Sequence, residues 1–383
     1  MKDAIFNEID RLFPEYVTFW EDICNIESPS AHKEGVDAVG QYVANAAKTR
    51  GWKVEFFPQP IAGDVVCITM NPDAKGTPIS LSAHMDTVHP LGTFGTPAVR
   101  IENGIIYGPG VLDCKGGIPE AFLAMDALDR CGYRERPVLL LLQSDEEVGS
   151  SLSNKATIGY ICEKAVGSAA FLNLEQQSGN RLCVARKGII NYTFKIHGVE
   201  AHASSCATSG SSAILEAAHK IIELEKLKDA EGLTCSCGVI AGGSVPNTVP
   251  GYCEFKANIR FATADQLEWV REHVKTIADT VYVKGCTCEL VQTSFRVAME
   301  EKPVNLALVD QINAAFARAD LSPFSSCRFT GGSDAADVTA YGKTPCVDNL
   351  GVRGKRLHSP EEQAEIESLR EMAKRLAAII YYL

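Results

Sequence analysis

Short apolar runs recur through the first half of the chain. They lie at 65–70 (VVCITM), 78–85 (PISLSAHM), 138–143 (VLLLLQ) and 169–174 (AAFLNL). Runs that are apolar on both strand faces indicate strands covered by helices on each side. Between them, Ile118, Phe122, Met125 and Leu128 share one face of a predicted helix that Gly132 ends. This alternation predicts an α/β fold.

The pattern changes from Lys187 to Val297. Strand and helix signals follow in the order GIINYTFKIHG, SSAILEAAHKIIELEKL, TCSCGVIAGGS, GYCEFKANIRF, ADQLEWVREHVKTIADTV and CTCELVQTSFRV. The order βαββαβ is that of a ferredoxin-like domain. Segments of the earlier type return afterwards, so we expect the small domain, 187–297, to be inserted between two parts of a large one, 1–186 and 298–383.

Composition and charge narrow the possible partners. The 383 residues are 46% hydrophobic and 22% charged, as in a folded protein. A net charge of −11, without a cluster of basic residues, argues against nucleic acid and anionic membranes as partners. The chain shows neither a signal peptide nor an apolar run near the roughly 18 residues of a membrane span. These features predict a cytoplasmic protein.

The fourteen cysteines have no regular framework and are expected to be reduced thiols. Cys235 and Cys237, with Cys286 and Cys288, could in principle supply four thiolates to a metal. Their spacing is tighter than that of structural zinc sites, and each pair falls in a predicted strand. Small side chains on a strand face are the favoured interpretation.

Polar residues stand where the apolar runs of the large domain end. Sites in open α/β sheets form outside the carboxyl ends of strands, so these residues could converge. Singly, each has a structural explanation, such as a hydrogen-bonded histidine, a solvated acid or a tight turn. Together, two imidazoles and several carboxylates match the ligands of a two-zinc hydrolytic site. The candidates are His84, Asp86, Asp113, Glu146, Glu147, Glu175 and His358.

Local spacing suggests different tasks for neighbouring residues. His84 and Asp86 point the same way from a strand, so Asp86 can accept the second ring N–H of His84 and fix the tautomer that binds metal. Glu146 and Glu147 point to opposite sides of an extended chain. One can therefore bind metal while the other faces the substrate water. Asp145 and Cys114 receive no role.

The motifs resemble those of the co-catalytic zinc exopeptidases and deacylases, which include glutamate carboxypeptidase, acetylornithine deacetylase, succinyl-diaminopimelate desuccinylase and aminoacylase. The matching segments, in order, are AHMDTVHP, GPGVLDCKGG, SDEEVGS, LNLEQQ, RKGIINYTFKIHGVEAHAS, GGSDAADVTAYGKTP and LHSPEE. The resemblance implies a mixed-sheet catalytic domain with an inserted ferredoxin-like lid and dimerisation domain. It also implies two zinc ions, for which cobalt or manganese can substitute.

The resemblance assigns the metal ligands residue by residue. Asp113 corresponds to the carboxylate that bridges the two metals. His84 and Glu175 complete the protein ligands of one metal, and Glu147 and His358 complete those of the other.

Further roles follow from the same resemblance. Glu146 corresponds to the general base, and Asp86 to the partner of His84. His202 corresponds to a histidine that stabilises the oxyanion, often in the partner subunit, although a turn histidine is the structural alternative. The candidate substrate-binding residues are Asn247, Arg260, Arg296 and Gly332, with a surface salt bridge as the alternative for either arginine.

The GPGxxDxKGG and RKG motifs and Glu175 resemble those of glutamate carboxypeptidase-like members. The resemblance therefore implies a zinc metallopeptidase of carboxypeptidase type, with glutamate as a candidate for the released amino acid. An N-acyl amino acid deacylase or deacetylase, or a dipeptidase, of the same fold is the main alternative. The substrate would be a peptide or an N-acyl amino acid. The resemblance also implies a homodimer that forms through the inserted domain. A catalytically silent dimeric binding protein is disfavoured, because the predicted ligands and base are all present.

Overall fold

The computed structural model describes residues 2–229 and 232–383 and divides the chain into two compact units. The first unit comprises Met1–Val184, Glu301–Arg328 and Ser333–Leu383, and the second Ala185–Glu300 and Phe329–Gly332. The predicted boundary at 298 leaves 329–332 in the large domain, whereas the structure groups this segment with the second unit. The reason is hydrogen bonding, since Lys187 N donates to Phe329 O (3.3 Å) and Arg260 Nη1 to Thr330 O (2.7 Å).

Helices occur in both units. None within the described residues is long and apolar enough to cross a membrane. They are α1 (Lys2–Asn25), α2 (Lys33–Thr49), α3 (Gly117–Arg130), α4 (Ala156–Ala165), α5 (Ala213–Glu225), α6 (Ala264–Asp279), α7 (Pro303–Arg318), α8 (Asp334–Tyr341) and α9 (Ile366–Tyr382), with a 3₁₀ turn at Ala203–Ser205.

The strands form several sheets. They are β1 (Lys53–Phe57), β2 (Val65–Met70), β3 (Ile79–His84), β4 (Arg100–Glu102), β5 (Ile105–Tyr107), β6 (Val138–Gln143), β7 (Ala170–Asn173), β8 (Arg181–Arg186), β9 (Gly188–His197), β10 (Ala201–His202), β11 (Thr234–Gly242), β12 (Thr248–Val249), β13 (Tyr252–Phe261), β14 (Thr287–Arg296), β15 (Ser325–Phe329), β16 (Cys346–Val347), β17 (Gly354–Lys355) and β18 (Gln363–Glu365).

The largest sheet of the first unit has the order β1-β2-β6-β3-β7-β16 and is mixed, as predicted. Strand β3 runs parallel to both of its neighbours, β6 and β7, and His84 at its end is paired with Gln143 at the end of β6. The carboxyl ends of these three strands consequently lie side by side. Smaller sheets among the described residues are β10-β12, β15-β8 and β17-β18-β5-β4.

Helix α3 lies deep in the core of the first unit. The sequence predicts one apolar face, but residues 117–128 are buried on every side, because α1, α9 and β3 all pack against the helix. Just before it, the buried ammonium of Lys115 donates to the carbonyls of Ile23 and Ile26 at the end of α1. This lysine of the DCKGG motif therefore stabilises the end of α1.

The second unit has the predicted ferredoxin-like order. Its antiparallel sheet is β11-β13-β9-β14, and α5 and α6 pack on one face around Phe194, Phe255 and Val270. Strands β11 and β14 lie at opposite edges of this sheet. Two intervening strands, β13 and β9, thus separate Cys235 and Cys237 from Cys288, which excludes a single four-thiolate site.

Glu120 on α3 gives the fold a pH-dependent stability. Both carboxylate oxygens are buried without a hydrogen-bond partner among the described residues, and burial raises the pKa of Glu120 well above 4.5. The folded state therefore holds this proton more tightly than the unfolded state, and the free energy of unfolding falls as the pH rises above 4.5. Glu120→Gln should remove this loss.

We expect Glu120→Gln to raise the melting temperature more at pH 8 than at pH 5, since the amide has no charged form that is disfavoured by burial at high pH. Glu163→Gln, at an exposed position on α4, is the matched control and should change neither value. An equal shift at both pH values would contradict the assignment. Thermal unfolding followed by circular dichroism provides the measurement.

Candidate metal centre

Polar side chains gather at the carboxyl ends of β3, β6 and β7. His84 is the last residue of β3, Glu147 lies in the turn after β6, and Glu175 follows β7 by two residues. Backbone hydrogen bonds connect these strand ends. Met85 N donates to Gln143 O, and Leu174 N donates to Ser82 O (both 2.8 Å). The convergence expected from the sheet topology is therefore present.

Asp113 lies between two imidazoles. Its Oδ1 is 3.2 Å from His84 Nε2, and its Oδ2 is 3.0 Å from His358 Nε2. His358 has a φ of +56°, in the left-handed region that residues with a β-carbon rarely occupy. Such backbone conformations concentrate at functional sites.

Each imidazole also faces one glutamate. Glu175 Oε1 is 3.8 Å from His84 Nε2, and Glu147 Oε2 is 3.4 Å from His358 Nε2. The structure thus groups the five predicted ligands as two histidine and glutamate pairs that share the Asp113 carboxylate.

Burial and the crowding of acidic side chains shift the pKa values of the five candidate ligands. Burial raises the pKa of Glu147 to about 7, and burial together with the Asp113 charge raises the pKa of Glu175 well above 4.5. Burial acts in the same direction on Asp113, but hydrogen bonds from His358 and His84 outweigh it and hold its pKa well below 3.8. Contact with Asp113 and Glu147 raises the pKa of His358 to about 10. Positive charge is therefore favoured among these side chains.

The donor set fits divalent metal ions. Glu147 Oε1 is buried without a hydrogen-bond partner among the described residues, although a buried carboxylate oxygen normally has one. His84, Asp113 and Glu147 each offer a ligand atom, all within 4.8 Å of one another. Imidazole nitrogens and carboxylate oxygens are ligands that zinc accepts in catalytic sites.

Asp86 accepts hydrogen bonds from several residues besides His84, the one partner that the H-x-D spacing predicts. Strand β3 ends at His84, so Asp86 lies beyond it, and His84 Nδ1 is 2.9 Å from the Asp86 carbonyl and 3.3 Å from Oδ1. The same carboxylate accepts the Ser30 hydroxyl (2.6 Å) and the backbone N–H groups of Glu146 and Glu147 (both 3.1 Å). Asp86 therefore positions the glutamates as well as the histidine.

The three acids of SDEEVGS lie in a turn, so the extended-strand argument for their directions is wrong. Strand β6 ends at Gln143, and the turn is closed by bonds from Gly149 N to Glu146 O (2.7 Å) and from Ser150 N to Asp145 O (2.8 Å). Glu146 nevertheless lies close enough to the candidate ligands that its charge acts to raise the pKa of both Glu147 and Glu175.

Asp145 and Cys114, left without a role by the sequence, are structural. The buried Asp145 carboxylate accepts Ser153 N (2.9 Å) and the Thr157 hydroxyl (2.6 Å), and so holds the loop that leads into α4. Cys114 Sγ accepts His84 N (3.4 Å) and donates to Leu174 O (3.6 Å). Burial raises the pKa of Cys114 far above its usual value, which keeps it a thiol.

The remaining predicted residues belong to the second unit. His202 in β10 pairs with Thr248 in β12, and Ala203 N donates to Asn247 O (2.9 Å), so His202 and Asn247 lie in one small substructure. Ser204 N donates to His202 Nδ1 (3.2 Å), which leaves the ring proton of neutral His202 on Nε2.

Three arginines meet at segment 329–332 of the second unit. Arg260 Nη1 donates to Thr330 O (2.7 Å) and Arg186 Nη1 to Gly331 O (3.2 Å). Arg296 packs on Gly332, where an added Cβ would lie 2.5 Å from Arg296 Cδ. Arg260, Arg296 and Gly332 are candidates from the sequence. The structure adds Arg186 to this group, and Arg186 stands within the matched RKG motif.

A second omission is the buried pair of His89 and Glu362, whose Nε2 and Oε2 atoms are 2.7 Å apart. Both residues stand inside motifs that contain predicted metal ligands, AHMDTVHP and LHSPEE. Their position within these motifs was the only available signal, since periodicity cannot indicate which distant residues form a pair.

This combination of a mixed sheet, an inserted four-stranded unit and clustered nitrogen and oxygen ligands defines a metallohydrolase. The model of peptidase family M20/M25/M40 matches residues 80–382, and the chain belongs to this family. The resemblance found in the motifs is thereby confirmed.

Individual proteins extend the match along the chain. Carboxypeptidase G2 of Pseudomonas sp. (strain RS-16) is 27% identical over 370 residues, which cover 95% of this chain and 87% of that protein. Acetylornithine deacetylase of Myxococcus xanthus is 27% identical over 287 residues, which cover 71% of this chain and 72% of that protein. The structure of Bacillus subtilis YXEP protein, a dinuclear metal-binding peptidase, aligns with a TM-score of 0.72 at 16% identity and covers 97% of this chain and 99% of its own.

Proposed function

We propose that the protein is a dinuclear zinc carboxypeptidase that hydrolyses the amide bond to a C-terminal amino acid, with glutamate as the first candidate. The observation that carries the proposal is Asp113, whose two oxygens face His84 and His358 at 3.2 and 3.0 Å. A carboxylate between two nitrogen ligands suits a bridge between two cations. The match to carboxypeptidase G2 along 95% of the chain supports the reaction type.

The five clustered side chains would hold the two ions. Asp113 would be shared by both ions, His84 and Glu175 would hold one, and His358 and Glu147 would hold the other. Zinc at these positions supplies positive charge that polarises a carbonyl and lowers the pKa of water, and cobalt or manganese could replace it. The dinuclear nature of the related YXEP protein supports two ions.

Glu146 is the proposed general base. Its backbone N–H is held by Asp86 (3.1 Å), and its charge acts on both Glu147 and Glu175, so the carboxylate lies near the ligands. From there it can take a proton from the attacking water and return it to the leaving amine. Asp86 serves the same reaction by fixing the ring of His84.

His202 is the proposed oxyanion donor. Because Ser204 N donates to Nδ1, the neutral ring presents Nε2–H, which can stabilise the negative charge that develops on the scissile carbonyl oxygen. Its side chain is exposed within the second unit, as a group that approaches a substrate requires.

The arginine cluster is the proposed receptor for the terminal carboxylate of the substrate. Arg186, Arg260 and Arg296 bring three guanidinium groups to segment 329–332, and a guanidinium matches a carboxylate with two parallel hydrogen bonds. Asn247 is a further proposed substrate contact, and Gly332 leaves the space that Arg296 fills.

A deacylase is the second candidate, supported by the match to acetylornithine deacetylase over 71% of the chain. It would use the same metal centre, base and carboxylate receptor. The acyl group, instead of the released amino acid, would then set specificity, and a dipeptidase would differ only in requiring a free amino group.

Homodimerisation through the second unit is also part of the proposal. The edge strand β11 exposes Val239 (56%) and Ile240 (54%), and α5 exposes Leu215 (50%) and Ile222 (55%). Apolar residues on an exposed sheet edge favour pairing with another chain. A second copy would cover this surface.

Glu146→Gln should abolish turnover, because glutamine cannot accept the proton. We expect kcat to fall by about 100- to 10,000-fold. Bound zinc should remain near the wild-type amount, since Glu146 is not a proposed ligand. Metal analysis and steady-state kinetics on the same preparation measure both quantities.

Glu147→Gln is the comparison for this substitution. It should lower zinc content, because a neutral amide is a poor zinc ligand. Substantial activity in Glu146→Gln, or normal metal binding in Glu147→Gln, would show that the two glutamates have other roles.

A hydrolysis panel on the zinc-loaded protein tests the reaction and its specificity. It compares N-blocked dipeptides ending in Glu, Asp, Leu and Arg with N-acetyl and N-succinyl amino acids. We expect the peptide ending in glutamate to have the highest kcat/KM. Arg260→Lys should lower this value about tenfold or more, since a bidentate bond to a charged group is lost.

Arg271→Lys, at an exposed ion pair on α6, is the matched control for Arg260→Lys and should behave as wild type. Faster hydrolysis of the N-acyl amino acids, whichever amino acid is released, would favour the deacylase. No hydrolysis of any member by protein with full zinc content would remove both candidates.

The dimer is tested by Ile240→Lys on β11, which places a charge in the proposed interface. Sedimentation velocity should give a dimer for wild type and a monomer for the variant. Gln292→Lys, exposed on the opposite edge strand β14, is the control and should remain dimeric. A monomeric wild-type protein would refute this part of the proposal.

A further inference from the structure

Glu362 contacts the loop that carries Asp113, although it lies outside the proposed ligand set. Its side chain is 1% exposed. The Oε1 atom accepts the backbone N–H groups of Leu112 (2.9 Å) and Asp113 (3.0 Å). Two consecutive N–H groups held by one oxygen fix the peptide planes that lead into Asp113. They therefore fix the direction in which its side chain leaves the backbone.

The main chain of Glu362 holds the same loop. Gly108 N donates to Glu362 O (3.3 Å), and Glu362 N donates to Ser359 O (3.0 Å). His358 lies just before this turn in the LHSPEE motif. The segment that supplies His358 and the loop that supplies Asp113 are thus joined at Glu362.

His89 completes the surroundings of the carboxylate. Its Nε2 donates to Glu362 Oε2 (2.7 Å), and its ring packs edge-on against Phe94 with the centroids 4.9 Å apart. His89 follows His84 in the AHMDTVHP motif. The pair therefore links a third segment that carries a candidate ligand.

We propose that Glu362, held by His89, is a positioning residue that fixes the Asp113 carboxylate between His84 and His358 without touching a metal. This inference rests on the metal centre of the proposed function and adds two residues to its support. Groups that orient metal ligands commonly affect affinity by about 10- to 100-fold. A buried acid that served folding alone would alter stability and leave the zinc affinity of the folded protein unchanged.

Two substitutions test separately whether the length or the charge of the Glu362 side chain matters for zinc binding. Glu362→Gln keeps the length and one acceptor oxygen for both N–H groups, whereas Glu362→Asp keeps the charge and withdraws the oxygens by one methylene. We expect Glu362→Asp to bind zinc about 10- to 100-fold more weakly than wild type. Glu362→Gln should stay closer to wild type. Competition between each protein and a zinc chelator gives the affinity.

Glu361→Gln is the control, because it makes the same charge change one residue away, at an exposed side chain paired with Arg356. It should leave zinc affinity unchanged. Thermal unfolding of the metal-free variants reports folding separately. Wild-type affinity in folded Glu362→Asp, or weaker binding by Glu362→Gln than by Glu362→Asp, would overturn the proposal.

His89→Leu keeps the proposal testable if Glu362→Asp does not fold. It removes the donor to Oε2 and leaves Glu362 in place, so zinc binding should weaken in the same direction. Unchanged affinity in this variant would also overturn the proposal. The probe is zinc alone, and no substrate is needed. A failed hydrolysis panel with full zinc binding would therefore count against the carboxypeptidase and not against Glu362.

Discussion

The buried carboxylate of Asp86 sets the geometry on which the candidate metal centre depends. It accepts the Ser30 hydroxyl and the backbone N–H groups of Glu146 and Glu147, and it contacts the ring of His84. A buried anion is costly unless donors surround it, so these contacts favour a single arrangement of the segments that supply them. The ends of β3 and β6 are consequently fixed against each other by one side chain.

The acids around this centre fall into two groups. Asp86, Asp145 and Glu362 are buried but receive backbone N–H donors, and they shape the loops. Glu147 and Glu175 each face an imidazole but lie near the Asp113 carboxylate, and burial raises the pKa of both. The first group stabilises the backbone, while the second leaves negative charge for cations to compensate. This division explains how a sheet edge can collect so many acids in a folded protein.

Each unit contains one local cluster of like-charged side chains. Carboxylates cluster in the first unit at the ends of parallel strands. Arg186, Arg260 and Arg296 cluster in the second, around segment 329–332. Each cluster has a cause within its own unit. The carboxylates meet because parallel strands end side by side, and two of the arginines are held by the carbonyls of Thr330 and Gly331.

The sequence by itself predicted strands β2, β3, β6 and β7, the βαββαβ order and the polar residues at the ends of those strands, because hydrophobic period and strand-end position are local properties. Tertiary structure alone decided that Glu146 and Glu147 leave a turn, that α3 is buried on every side and that 329–332 joins the second unit. It also decided the pairing of Glu362 with His89 and with the Asp113 loop. These features depend on hydrogen bonds and packing between residues far apart in the chain, which no local pattern specifies.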